Sequence, residues 1–136
     1  IKQGIKINIL GETSKLSRDI KLTLKKAINL TKKNKKITVN LAINYGSKKE
    51  IFNAFKQTKN NLSLKNIEKN LYTKKMPNPD ILIRTGGHQR LSNFMLWQLA
   101  YAELFFLKKL WPDFNSNDLI KIINKNKKSK RNFGAV

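Results

Sequence analysis

The sequence predicts an α/β protein with a mostly parallel sheet and helices on both faces. Three observations carry this. Short runs rich in Ile, Val and Leu recur and stop at turn residues: Ile5–Leu10 before Gly11, Ile37–Ile43 before Asn44, and Ile81–Ile83 before Arg84-Thr85-Gly86-Gly87. Amphipathic helical patterns alternate with these runs, which is the arrangement that covers parallel strands. Finally, Ile81-Leu82-Ile83 is apolar without alternation, as in a strand buried on both faces.

Ile5-Lys6-Ile7-Asn8-Ile9-Leu10 alternates apolar and polar residues and reads as the first strand. Ser17 is the expected N-cap of a helix running to about Asn34. Ile20, Leu24, Ala27, Ile28 and Thr31 fall on its inner face, with lysines opposite. Ile37 to Ile43 is the second strand and stops at Asn44-Tyr45-Gly46. A helix from Ser47 to about Asn60 is expected to turn Ile51, Phe52 and Phe55 inward. Ser63 then caps a short helix to about Asn70, and Met76-Pro77-Asn78-Pro79 leads into the third strand. Beyond the glycines, Phe94 to Ala100 is expected to be helical, with Ser92 or Asn93 as its cap. Phe94, Leu96, Trp97 and Leu99 then serve as packing, and Trp97 and Tyr101 share a face. Leu104-Phe105-Phe106 reads as a buried strand, Pro112 as a stop, and Ser116 as the cap of a last helix with Leu119, Ile122 and Ile123 inward.

A chain of 136 residues is one domain by length, and the absence of cysteine excludes a disulfide framework or thiolate metal site. No signal-peptide core is visible in Ile1–Leu10, and the Phe94–Leu107 stretch is too short and too interrupted to span a bilayer. A cytoplasmic protein is expected. Twenty-nine Lys plus Arg against eight Asp plus Glu give a formal charge of +21, which favours phosphorylated ligands, polyanions and anionic membrane surfaces. The lysines are spread along the whole chain with few aromatics among them, so a nucleic-acid-binding module is the weaker reading.

The chemistry gathers after the third strand. Arg84 is the first residue past its carboxyl end, where open α/β sheets place their ligands. Gly86 and Gly87 let backbone approach a ligand closely. Two guanidiniums, Arg84 and Arg90, offer planar donors to phosphate oxygens, and the Ser92 hydroxyl and amides of the expected helix start would add more. This is a phosphate or diphosphate site. Asn44, Gly46 and Lys48 also follow a strand end. Glu103 sits between Ala102 and Leu104, where a carboxylate needs a partner, with a lysine or arginine the plain choice.

The run Arg84-Thr85-Gly86-Gly87-His88-Gln89-Arg90-Leu91-Ser92-Asn93-Phe94, continued by Leu96-Trp97-Gln98 and Ala100-Tyr101-Ala102-Glu103, resembles the signature of the cis-prenyltransferases, the undecaprenyl diphosphate synthase family. Gly11-Glu12-Thr13-Ser14-Lys15-Leu16, Leu41–Gly46 and Trp111-Pro112-Asp113-Phe114 resemble further landmarks. The resemblance implies that residues 1–136 are one partial domain, the C-terminal portion of the family fold, because nothing here matches the family's aspartate-bearing D-G-N-G-R-W-A-like loop.

It implies chain elongation, in which isopentenyl diphosphate is condensed onto an allylic diphosphate to give a long polyprenyl diphosphate. Arg84, Arg90 and Ser92 would hold isopentenyl diphosphate, and Glu103 would lie near Mg²⁺, across a homodimer interface. Asn44, Gly86, Gly87, His88, Asn93 and Arg131 would be supporting residues. Contact with the inner membrane face is expected for a lipid product. A non-catalytic partner subunit of a two-component prenyltransferase is the alternative. The chain departs from the pattern at His88 and Gln89, where relatives often have glutamate and then histidine, and at Lys48, where arginine is usual. It departs again at Asn132-Phe133-Gly134, which stands in place of R-x-G with Arg131 one residue earlier.

Overall fold

The computed structural model describes residues 4–58 and 61–129. They form β1 (Ile5–Leu10), α1 (Arg18–Thr31), β2 (Ile37–Ala42), α2 (Ser47–Thr58), α3 (Leu64–Glu68), β3 (Ile81–Arg84), β4 (Glu103–Phe106) and α4 (Ser116–Lys128). Both strand pairs are parallel, as the patterning predicts, and strands and helices alternate from β1 to α2, but β4 follows β3 with no helix between them. The strands lie in two two-stranded sheets, β1-β2 and β3-β4, and the chain divides into two compact units between Lys75 and Met76.

In the first unit β1 and β2 pair in register from Ile5–Ile37 to Leu10–Ala42. The outer edge of β1 receives side chains from the end of α1 and from the turn after it. The Ile7 N–H donates to Thr31 Oγ1 at 3.1 Å, and Asn34 Nδ2 donates to the Ile5 carbonyl at 2.7 Å. Thr31 in turn donates to the Ala27 carbonyl at 2.8 Å and is itself buried. A strand edge whose polar groups are satisfied in this way is a poor template for further pairing. The opposite strand is treated differently, since all six residues of β2 are exposed.

α1 packs on β1 with Leu24, Ala27 and Ile28 half-buried, but Ile20, at the open end of that face, is 49% exposed. Ser17 occupies the N-cap position without a side-chain hydrogen bond. In α2 it is Ala54, at 0% exposure, that fills the core, while Phe52 and Phe55 lie out in solvent, contrary to expectation. Lys56 covers the Phe52 ring at 5.3 Å, a cation–π contact that shelters an exposed aromatic. Ser63 caps α3 as expected, accepting from the Asn66 N–H at 3.2 Å.

In the second unit β3 and β4 pair from Ile81–Glu103 to Arg84–Phe106. The expected helix over Phe94–Ala100 is absent; the segment is a series of turns. The cause is backbone conformation. Ser92, Asn93 and Met95 have φ of +49°, +62° and +47°, in the left-handed region, where a right-handed helix cannot start. Ser92 is therefore not a helix cap, and no helix N-terminus supplies amides there. Leu104 is also more exposed, at 42%, than a buried strand implies.

The α4 start falls one residue earlier than read. Asn115 is the cap, accepting from the Asn117 and Asp118 amides, while the Asp118 carboxylate accepts from the Asn115 N–H at 3.0 Å, a complete capping box. Ile122 is buried and Ile123 half-buried, and Lys125 lies over the Phe105 ring of β4 at 5.8 Å. Leu119, expected inside, is 40% exposed.

Candidate functional site

Arg84 ends β3, and the chain turns at once through Gly86 and Gly87, whose φ values of +89° and +76° require glycine. This turn is held by β4's extension. The Gly86 N–H donates to the Lys109 carbonyl at 2.9 Å and the Gly87 N–H to the Leu107 carbonyl at 2.8 Å. These two amides are thus spent on the scaffold rather than offered to an anion. A methyl group placed on Gly86 would meet no atom within 4 Å, so this glycine faces open space.

The returning chain brings the polar groups together. Arg84 Nη1 donates to the Arg90 carbonyl and, at 3.0 Å, to Ser92 Oγ. The planar guanidinium is therefore oriented by two acceptors while its remaining N–H groups stay available. Neither Arg84 nor Arg90 is paired with a carboxylate among the described residues. Arg84, Arg90 and Ser92 line a pocket of about 340 Å³ whose other walls are Leu82, Ile83, Leu91 and Phe94. The left-handed conformations at Ser92, Asn93 and Met95 cost of order 1–3 kcal/mol each in residues with side chains, and such strain collects at binding sites.

Residue by residue, the structure joins Arg84, Arg90 and Ser92, with Gly86 and Gly87 forming the adjoining turn and Asn93 following in the strained segment. His88 is exposed on that turn. Glu103 is placed elsewhere. It pairs with Ile81 at the start of the strands, three residues from the Arg84–Phe106 pair, which is about 10 Å along the strand. Its Oε1 accepts from the Ser129 hydroxyl at 2.6 Å, and among the described residues it forms no ion pair with the expected lysine or arginine. Among the described residues no group of three or more His, Asp or Glu is assembled that could hold a metal ion. Arg131 lies outside the described residues.

Asn44, Gly46 and Lys48 belong to the first unit. Asn44 adopts φ +47°, and its carbonyl accepts from the Glu12 N–H at 3.4 Å. Beside it, Tyr45 Oη donates to the buried Glu50 carboxylate at 2.5 Å, and the Tyr72 N–H donates to the other oxygen at 2.7 Å. Glu50, 1% exposed, went unnoticed in the sequence. So did the apolar pocket wall: Leu82 and Ile83 read only as strand core and Phe94 as helix packing. Leu91, between Arg90 and Ser92, was the one visible clue, an apolar residue inside a polar loop.

A family model described as undecaprenyl diphosphate synthase matches residues 1–134. The isoprenyl transferase of Rickettsia felis is 46% identical over 98% of this chain and 58% of its own length. That of Leptospira interrogans is 42% identical over 99% of this chain and 61% of its own. The chain thus spans about three fifths of the curated relatives it matches.

Two solved structures are similar in fold, each 33% identical. A probable undecaprenyl diphosphate synthase from Campylobacter jejuni has a TM-score of 0.89, covering 98% of this chain and 65% of that one. Lavandulyl diphosphate synthase from Lavandula x intermedia, solved in complex with dimethylallyl diphosphate, has 0.92, covering 99% and 62%. No described helix is long and apolar enough to cross a membrane. The arginine–glycine signature, the parallel strand that presents it and the match along almost the whole sequence agree: the chain belongs to the undecaprenyl diphosphate synthase family of prenyltransferases.

Proposed function

We propose that these residues supply the isopentenyl diphosphate site of a cis-prenyl chain-elongating enzyme. The carrying observation is the Arg84 guanidinium, oriented by Ser92 and the Arg90 carbonyl and, among the described residues, unpaired with any carboxylate, at the mouth of a pocket with apolar walls. Two guanidiniums and a hydroxyl suit phosphate oxygens, and Leu82, Ile83, Leu91 and Phe94 suit a short hydrocarbon. A ligand with an anionic head and a small apolar tail meets both halves of that description. Dimethylallyl diphosphate, bound by the lavender relative, belongs to the same chemical class.

In the proposed reaction an allylic diphosphate ionises at its C–O bond, releasing diphosphate. The double bond of isopentenyl diphosphate adds to the allylic cation, and loss of a proton leaves a new Z double bond in a chain five carbons longer. Arg84, Arg90 and Ser92 anchor the diphosphate of the adding unit, so the nucleophilic alkene is held rather than diffusing. Mg²⁺, when bound, supplies electrostatic stabilisation to a departing diphosphate. Glu103 stands three residues along the strand pair from Arg84, and its cation role is proposed across the interface with a second copy of the chain.

The residues alone are expected to bind without turning over, since nothing in residues 1–136 matches the family's aspartate-bearing loop. The test compares isopentenyl diphosphate with isopentenol and with inorganic diphosphate. The reading expects tight binding of the first, none of the alcohol and weaker binding of inorganic diphosphate, which leaves the apolar wall unfilled. Equal affinity for inorganic diphosphate would remove the isoprenoid part of the proposal. Polyprenyl product from purified residues 1–136 would contradict the expected inactivity.

A further inference from the structure

Two lysines follow β4 on the strand that clamps the glycine turn, and the structure treats them differently. Lys109 Nζ is 2.8 Å from Asp118 Oδ2 in the α4 capping box, so its charge is committed. Lys108 is exposed and makes no ion pair among the described residues. Its backbone position is fixed from both sides, because the Leu107 and Lys109 carbonyls accept the Gly87 and Gly86 N–H groups. A methyl group on Gly87 would lie 3.9 Å from Lys108 Cα. Resting on the diphosphate reading above, we propose that Lys108 is a third cationic ligand of the bound diphosphate, beside Arg84 and Arg90.

The charge balance favours it. A diphosphate monoester carries more negative charge near neutral pH than two guanidiniums neutralise. An ammonium on a four-carbon stem reaches about 6 Å from its Cα and serves phosphate as a point charge, complementing the bidentate arginines. Since the clamp fixes the Lys108 backbone at the turn, only side-chain freedom is lost when the ammonium engages.

Isopentenyl diphosphate titrations at two salt concentrations test this on the wild type, Lys108→Met, Lys108→Arg, Arg84→Ala and, as a charge-matched control on α1, Lys26→Met. Lys108→Met is expected to weaken binding about fivefold and to flatten its salt dependence. Lys108→Arg should bind within about twofold of wild type, and Lys26→Met should change neither quantity. If Arg84→Ala abolishes binding while Lys108→Met behaves like Lys26→Met, the role of Lys108 is overturned and the site stands. If Arg84→Ala binds like wild type, the diphosphate site itself falls, and Lys108 with it.

Discussion

Both units place a glycine just past the carboxyl end of a parallel strand, and the two glycines do opposite things. Gly11, after β1, has φ +98°, and a methyl group there would lie 2.3 Å from the Ile43 carbonyl oxygen and 3.1 Å from Tyr45 Cα. It exists so that two backbones can touch. Gly86, after β3, has a similar φ of +89° but meets nothing within 4 Å. The charges differ in the same sense. Near Gly11 the Glu12 carboxylate takes Lys49 at 2.6 Å, and Glu50 binds Tyr45 and the Tyr72 amide, so the first turn is closed upon itself. Near Gly86 two arginines carry no counter-charge among the described residues. The second turn, unlike the first, leaves open space beside its glycine and unbalanced charge around it, which is what the proposed ligand site needs.

That contrast is open to direct attack. Gly11→Ala combines a left-handed backbone with a clash against a carbonyl and should cost about 3 kcal/mol or more in denaturant unfolding. A loss below about 1 kcal/mol would mean that the first turn is not tightly packed. Glu50→Ala leaves the Tyr45 hydroxyl and Tyr72 amide without their acceptor and is expected to cost about 2–3 kcal/mol, with Glu50→Gln milder. Isopentenyl diphosphate affinity that tracked Glu50 as strongly as Arg84 would blur the division of labour between the turns. Gly86→Ala should cost only the conformational penalty, about 1–2 kcal/mol, because no neighbour is displaced.

The smallest effect concerns pH. Hydrogen bonds from Lys109 and from the Asn115 amide, reinforced by the positive charges of Lys109 and Lys121, hold the Asp118 carboxyl below its ordinary 3.8. A group depressed in the folded state contributes stability that is complete above 3.8 and is lost as pH falls through its lower, folded value. Circular dichroism should therefore show α4 fraying in that acid window in the wild type. Asp118→Asn should remove the pH dependence of that fraying.

The strands were legible because short apolar, β-branched runs leave few other readings, and the parallel pairing of β1 and β2 followed from the helix between them; β3 and β4 pair in parallel without one. The guanidinium pair was legible from its place after a continuous apolar run, although β3 itself is only half-buried. What escaped depends on tertiary geometry. Phe94, Leu96, Trp97 and Leu99 mimic a helical face, yet three left-handed residues from Ser92 to Met95 set turns instead, and no local rule assigns that conformation to serine or methionine. Asn115 and Ser116 are both good caps, and only Asp118 three residues beyond Asn115 decides between them. Phe52 and Phe55 have inward spacing but no element among the described residues covers them, and Ala54 holds the core. Glu103 stands close to Arg84 on paper, and only the strand register shows that the two occupy opposite ends of one pair.

The central claim is that the turn after β3 is the diphosphate site. Calorimetry with isopentenyl diphosphate on the folded wild type and on Arg84→Ala tests it most directly. The account predicts saturable binding in the wild type, weakened at least about tenfold in the variant, as loss of a charge-assisted hydrogen bond requires. Equal affinity in the two proteins, or no binding by the folded wild type, would contradict it.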